Sequence, residues 1–369
     1  MSERLEVSYE LFCGRGESAE RKARGIALEQ TVELPAATLP PGIESAMVGR
    51  IEALEPAGRN RYRARISYAP ETIGGELTQL LNVLFGNISL KRGIRINGIA
   101  WPAGLLHRLG GPRHGIEGIR RLTGAWRRAL LCTALKPMGL DAAALARRCE
   151  AFARGGIDLI KDDHGLANQP AAPFLERLHR CQEAVQRGNA HGGRNALYLP
   201  NVTAPLAELP RRLEAARDAG CRAVLISPWL AGPDSLRWAR DEFGLALMAH
   251  PALTGSMFGE RHGLAPELVI GDLFRAAGAD ASIYPNADGR FGFSRRRCEA
   301  INARLRGPLG DLRPAFPVPG GGMDAARAPG WVRRYGADTI LLIGGSLYAR
   351  RDLVRGAREL LAAVREQQA

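Results

Sequence analysis

From about residue 128 onward, short apolar runs alternate with amphipathic stretches of helical period, and this alternation limits the fold more than any other feature. The apolar runs are Ala129–Leu135, Ile157–Ile160, Ala196–Leu199, Ala223–Ser227, Leu245–Ala249, Ala281–Tyr284, Phe316–Val318 and Thr339–Ile343. Amphipathic segments such as Ala142–Arg154, Ala204–Ala219, Pro266–Ala277 and Asp352–Arg365 lie between them. Eight strand–helix units in about 240 residues predict a (β/α)8 TIM barrel. A doubly wound open sheet competes. It would normally carry a Gly-rich turn after its first strand, and Lys136-Pro137-Met138-Gly139 is not one.

The first 110 residues follow another pattern. Leu5, Val7 and Tyr9 alternate as a strand, and Glu17–Gln30 reads as a helix. Gly49–Leu54 and Arg61–Tyr68 read as strands joined through the turn residues Pro56, Ala57 and Gly58. Ile73–Phe85 is helical and Ile94–Ile99 a last strand. The order βαββαβ predicts a ferredoxin-like α+β domain. Leu109-Gly110-Gly111-Pro112 makes a linker, so the expected division is 1–112 and 113–369 within an α/β chain of 369 residues.

The start, Met-Ser-Glu-Arg-Leu-Glu, is charged and unlike a secretory leader, and no apolar run approaches a membrane span. Cys13, Cys132, Cys149, Cys181, Cys221 and Cys298 show no paired metal spacing, which suits reduced thiols and a cytoplasmic location. The net charge of +13 attracts acidic partners or reflects Arg-rich solvated surfaces. No zinc knuckle or basic-aromatic interleaving points to nucleic acid.

The chemistry concentrates in Gly156-Ile-Asp-Leu-Ile-Lys161-Asp162-Asp163-His164-Gly165. A parallel strand delivers its last residues to the carboxyl edge of the sheet, where α/β folds bind ligands. Alternation puts Lys161 and Asp163 on one side and Asp162 and His164 on the other, unless the strand bends. Such a cluster is costly to bury without a counter-ion, so a metal or an anionic ligand is expected. A strand running out into a solvated charged turn is the bland alternative.

With the barrel placed, the motifs resemble the large subunit of ribulose-bisphosphate carboxylase (RuBisCO), and more closely its RuBisCO-like, form IV relatives. Thr133-Ala-Leu-Lys136-Pro137-Met138-Gly139-Leu140 resembles the family's first-strand motif, and 156–163 its second. Lys161 follows Lys136 by 25 residues, within one of the family's spacing. Asn201-Val-Thr-Ala, Pro319-Gly320-Gly321-Gly322 and Ile343-Gly344-Gly345 resemble the ends of strands three, seven and eight. Ala27-Leu-Glu29-Gln30-Thr31 and Phe85-Gly86-Asn87 resemble two small-domain segments.

The resemblance implies that Lys161 takes up CO2 as a carbamate and binds Mg2+ with Asp163. The third ligand position, normally Glu, is His164, which suits other divalent ions better. Three outcomes follow: weaker Mg2+ binding, a different divalent cation, or no metal. Lys136 matches a proton-transfer lysine, with the Lys161 carbamate as the other candidate base, and His250 matches an active-site histidine. Gly321, Gly322, Gly344 and Gly345 fit a phosphate cradle, with Thr133 also beside the substrate. Glu29 and Asn87 match residues that one subunit supplies to its partner's site, implying a homodimer or a multiple of dimers.

Several family residues are missing. One residue is lost after Pro137 together with a lysine, and Pro251, Tyr284 and Gly320 replace an arginine, a histidine and a serine that hold a second phosphate. Arg290 stands near the position of the mobile lid lysine, a substitution that does not preserve a point charge. The expected activity is metal-assisted enolisation or isomerisation of a phosphorylated ketose or sugar acid, without net CO2 fixation. Decarboxylation of a β-keto sugar acid and a non-catalytic or regulatory sugar-phosphate-binding role are the alternatives. True carboxylation of ribulose bisphosphate ranks last.

Overall fold

The computed structural model describes residues 4–367; Met1–Glu3 of the charged start, with Gln368 and Ala369, lie outside them. In β1 (Leu5–Phe12), buried Leu5, Val7, Tyr9 and Leu11 alternate with half-exposed residues, so one face is apolar and packs inward. β1 lies between β3 (Arg61–Tyr68) and β4 (Ile94–Ala100), antiparallel to both, and β2 (Arg50–Gly58) flanks β3. The spatial order β4-β1-β3-β2 is that of a ferredoxin-like sheet. Helices Ala19–Glu29 and Leu77–Phe85 place Ala23, Ile26, Leu80 and Leu84 in the same core.

Eight parallel strands form the barrel. They are β5 (Leu130–Leu135), β6 (Leu159–Asp162), β7 (Leu197–Leu199), β8 (Ala223–Ile226), β9 (Ala246–Ala249), β11 (Ala281–Pro285), β12 (Phe316–Gly320) and β13 (Ile340–Leu342). Two hydrogen-bonded arcs, β13-β5-β6-β7 and β12-β11-β9-β8, make up the wall. One seam is stitched by a bridge between Asn201 and Leu225. At the other, β12 approaches β13 so closely that a Cβ on Gly320 would stand 2.8 Å from Leu342 Cδ2. Leu130, Cys132, Leu159, Leu225, Met248 and Ile283 belong to one interior cluster. Helix Gly115–Thr123 adds Ile116, Ile119 and Leu122 to that cluster from below, so the barrel is a filled core and not a pore.

The predicted strand at Ile157–Ile160 instead runs Leu159–Asp162, because two charged residues are drawn into the wall. One strand was not anticipated. β10 (Gly263–Leu264) leaves the C-terminal half and pairs in parallel with β4, extending the small sheet. No helix among the described residues is long and apolar enough to cross a membrane. All six cysteines are free, five of them buried.

Candidate active site

The two sides of β6 build the site. Leu159 points into the barrel interior, so Lys161, two residues on, shares its side. Lys161 is 1% exposed, and its Nζ donates to the Asp162 carbonyl at 2.9 Å. Burial draws this amine below its ordinary pKa. Asp162 turns to the helix layer. Its carboxylate accepts from Arg177 Nε at 3.0 Å, Tyr198 Oη at 2.9 Å and the Asn201 amide at 3.0 Å. Arg177 also donates to the Ala167 and Ala172 carbonyls, and the Asn201 side chain to those of His164 and Leu166. These bonds hold the loop that carries the next two residues.

The strand ends at Asp162, so period-two alternation stops there. Asp163 and His164 therefore lie together, with His164 Nδ1 3.3 Å from Asp163 Oδ1. Lys136, just past the end of β5, reaches the same oxygen with Nζ at 2.9 Å. Burial pushes the Asp163 carboxyl up. The hydrogen bonds from His164 and Lys136 and the Lys161 charge outweigh it, and the group sits well below the usual carboxylate range. His164 stacks on His250, with ring centroids 4.3 Å apart and planes 9° from parallel. Thus Lys136, Lys161, Asp163, His164 and His250 converge at the carboxyl ends of β5, β6 and β9.

His250 has a defined tautomer. Its Nδ1 accepts from the Ala252 amide at 3.1 Å, so in the neutral ring the proton resides on Nε2. Burial, then the Lys161 charge, holds its pKa well below the ordinary histidine value. A neutral ring with Nε2–H can donate a hydrogen bond.

Two residues that no motif indicated fix Lys136. The Lys136 amide donates to Tyr348 Oη at 3.1 Å, and that hydroxyl donates to the Ala134 carbonyl at 2.8 Å. Arg148 hydrogen-bonds the Lys136 carbonyl and lies over the Tyr348 ring. Tyr348 lies three residues after Gly345, beyond the end of β13, and only the fold brings it to β5.

The remaining predicted residues divide. Gly321 and Gly322 hold positive φ of 81° and 110°, and the loop after β11 packs on their turn, with the Arg290 amide on the Gly321 carbonyl at 3.0 Å. The Arg290 side chain lies over Phe291 and is exposed. Gly344 and Gly345 have no protein atom within 4 Å of a built Cβ, so packing does not demand glycine there. Glu29 and Asn87 meet on the small domain, Asn87 Nδ2 donating to Glu29 at 3.3 Å and Lys91 at 2.7 Å. Thr133, expected beside the substrate, shares the helix-facing side of β5 with Leu131 and Leu135 and is fully buried. That expectation is corrected, because the strand's alternation turns the side chain away from the mouth. A cavity of about 1250 Å³ lies on the small domain among Arg15, Lys22, Arg59, Lys91 and Arg92, apart from the convergent residues. The mouth chemistry is identified by its side chains and not by cavity size.

Among the described residues, no three His, Cys, Asp or Glu side chains gather as a metal set. Asp163 and His164 alone are too few for a divalent cation. The donor chemistry fits once Lys161 contributes carbamate oxygens, and its buried amine of lowered pKa is of the kind that adds CO2.

Residues 115–289 match the family model described as ribulose bisphosphate carboxylase large chain, catalytic domain. A 5-methylthioribulose-1-phosphate isomerase of Rhodospirillum rubrum is 41% identical over 355 residues, 95% of this chain and 93% of that one. A 2,3-diketo-5-methylthiopentyl-1-phosphate enolase of Geobacillus kaustophilus is 31% identical, over 93% of this chain and 88% of its own. The crystal structure of a RuBisCO-like protein from Rhodopseudomonas palustris superposes with a TM-score of 0.90 at 39% identity, over 99% of both chains.

Proposed function

The chain belongs to the RuBisCO-like proteins of the ribulose bisphosphate carboxylase family, and from that premise we propose that it isomerises a phosphorylated ketose through an enediol, without net CO2 fixation. The substrate to test first is 5-methylthioribulose 1-phosphate, the compound in the name of the Rhodospirillum rubrum relative. The observation that carries this reading is the convergence of Lys136, Lys161, Asp163, His164 and His250 at one end of the barrel.

Enolisation needs a base at the carbon beside the carbonyl and a donor at the carbonyl oxygen. His250 Nε2–H is the donor. Lys136 is the base; its Nζ is held on Asp163 Oδ1 at 2.9 Å, so it reaches the substrate once that contact is opened. Tyr348 and Arg148 keep its backbone in place. Returning the proton to the neighbouring carbon completes an isomerisation. Carbamylated Lys161, Asp163 and His164 would hold Mg2+ or another divalent cation, which when bound supplies positive charge beside the substrate oxygens. Gly344 and Gly345, with open space where a Cβ would be, suit close approach of a phosphate. Pro251, Tyr284 and Gly320 provide no donor for a second one: the Tyr284 hydroxyl is tied to Asn302 behind the wall. We place Glu29 and Asn87 over the mouth of a partner chain, which makes the working unit a homodimer.

The decisive measurement is proton NMR of 5-methylthioribulose 1-phosphate in D2O with enzyme, CO2 and a divalent cation. Substrate-carbon deuteration with formation of an isomer supports the reading. A sugar phosphate left unexchanged under every metal condition, or labelled CO2 fixed into acid-stable product from ribulose 1,5-bisphosphate, refutes it.

A further inference from the structure

The floor of the barrel, opposite the mouth, carries a second concentration of positive charge. A cavity of about 440 Å³ opens where β5, β6 and β7 begin, lined by Trp126, Arg127, Arg128, Arg194 and Arg365. A neighbouring hollow shares Arg194 and Arg365 and adds Arg358. One of these five arginines is neutralised, Arg128 gripping Asp158 through bonds of 2.6 and 2.7 Å. Among the described residues, no carboxylate lies within ion-pair distance of the other four. Glu366 borders the hollow without closing such a pair.

Arg194 is the most telling member. Its Nε is buried and has no hydrogen-bond partner, a cost that native structures normally relieve. Its guanidinium sits below its ordinary pKa through burial, with the charge of Arg365 adding to that. Gly156, at φ 94°, makes room for it, since a Cβ there would stand 2.7 Å from Arg194 Nη1. A chain that gathers unpaired guanidinium groups around a concave space pays in repulsion and desolvation, and an anion offsets both. Planar guanidinium forks match phosphate oxygens in particular. Trp126 is 51% exposed at the same cavity and offers a flat face to a ring. The volume lies within the roughly 300–1,000 Å³ of small-molecule sites.

We propose that the barrel floor binds a nucleoside diphosphate, its phosphates on Arg194 and Arg365 and its base against Trp126. The site is independent of the mouth and acts on stability, since the amino end of a barrel is not where chemistry occurs. The test is calorimetric titration of the full-length enzyme with ADP and with pyrophosphate, alongside melting curves. ADP binds one per chain, tighter than pyrophosphate, and raises the melting temperature. The double variant Arg194→Gln/Arg365→Gln loses at least about tenfold in affinity for both ligands, while its ligand-free melting temperature does not fall and its isomerase turnover stays unchanged. Trp126→Ala loses affinity for ADP and not for pyrophosphate. Absence of saturable binding, binding untouched by the double variant, or competition with the sugar phosphate overturns the site. Equal affinity for ADP and pyrophosphate in the unaltered chain overturns the assignment to a nucleotide.

Discussion

Asp162 and Asp163 are neighbours in sequence and opposites in environment. Asp162 is fully buried behind the barrel wall, with three donors on its carboxylate and an arginine that is itself fully buried. Asp163 faces the mouth, shared between a lysine 41% exposed and a histidine 50% exposed. The first arrangement is closed and complete. In the second, both partner side chains reach solvent. One peptide bond thus separates a group that maintains the loop from a group free to meet a ligand, and the dividing line is the end of β6.

The largest effect expected from this contrast is on stability. Arg177→Ala leaves Asp162 buried without its counter-charge and should cost about 3–5 kcal/mol, whereas Asp163→Asn, between two part-exposed partners, should cost less. Urea denaturation of the two variants measures both, and equal losses would erase the distinction. Next comes activity. Lys136→Met should lower turnover by at least about 10²-fold with the melting temperature nearly unchanged. Wild-type exchange rates in that variant would move the base to Lys161.

A pH effect follows, of about 1.4 kcal/mol per pH unit at most. His250 has a folded pKa below its ordinary value of 6.5, so the unfolded chain takes up the proton first as pH falls. Its contribution is present above about pH 6.5 and is lost as pH drops toward the lower folded value. Between pH 7.5 and 5.5, wild type should lose more stability than His250→Asn, and parallel curves would contradict the buried neutral ring. The smallest effect is expected of Tyr348→Phe, which removes one hydroxyl bridging Lys136 and Ala134. A loss of about 1 kcal/mol, with kcat lowered and KM kept, would mark Tyr348 as a positioning residue. A change in KM alone would not.

The same contrast explains what could be read beforehand. The eight strands and the small sheet follow from local apolar period, and so were legible. The end of β6 was not, because Lys161 and Asp162 break the apolar run and the burial of Asp162 depends on Arg177, 15 residues on. Strict alternation sets His164 opposite Asp163 unless the strand bends, and the end of β6 at Asp162 puts them side by side, as the family motif implies. Thr133 was read from its motif neighbours, while its side chain follows the pleat. Tyr348 and Arg148 carry no local signal, since their use arises from closure of the barrel. β10 is two residues long and is defined by its partner in the other sheet.

That closure also bears on how the enzyme is made. β13 pairs with β5, and Tyr348 fastens the backbone of Lys136 from the far end of the chain. A nascent polypeptide that has emerged through β12 already contains every convergent residue of the mouth, yet lacks the hydroxyl that anchors the backbone of Lys136. The contact that ties Lys136 to the end of the barrel therefore arrives in the last stretch of synthesis. Prematurely terminated chains ending before residue 348 retain the motif residues and Arg148 but not the hydroxyl that links the Lys136 amide to Ala134.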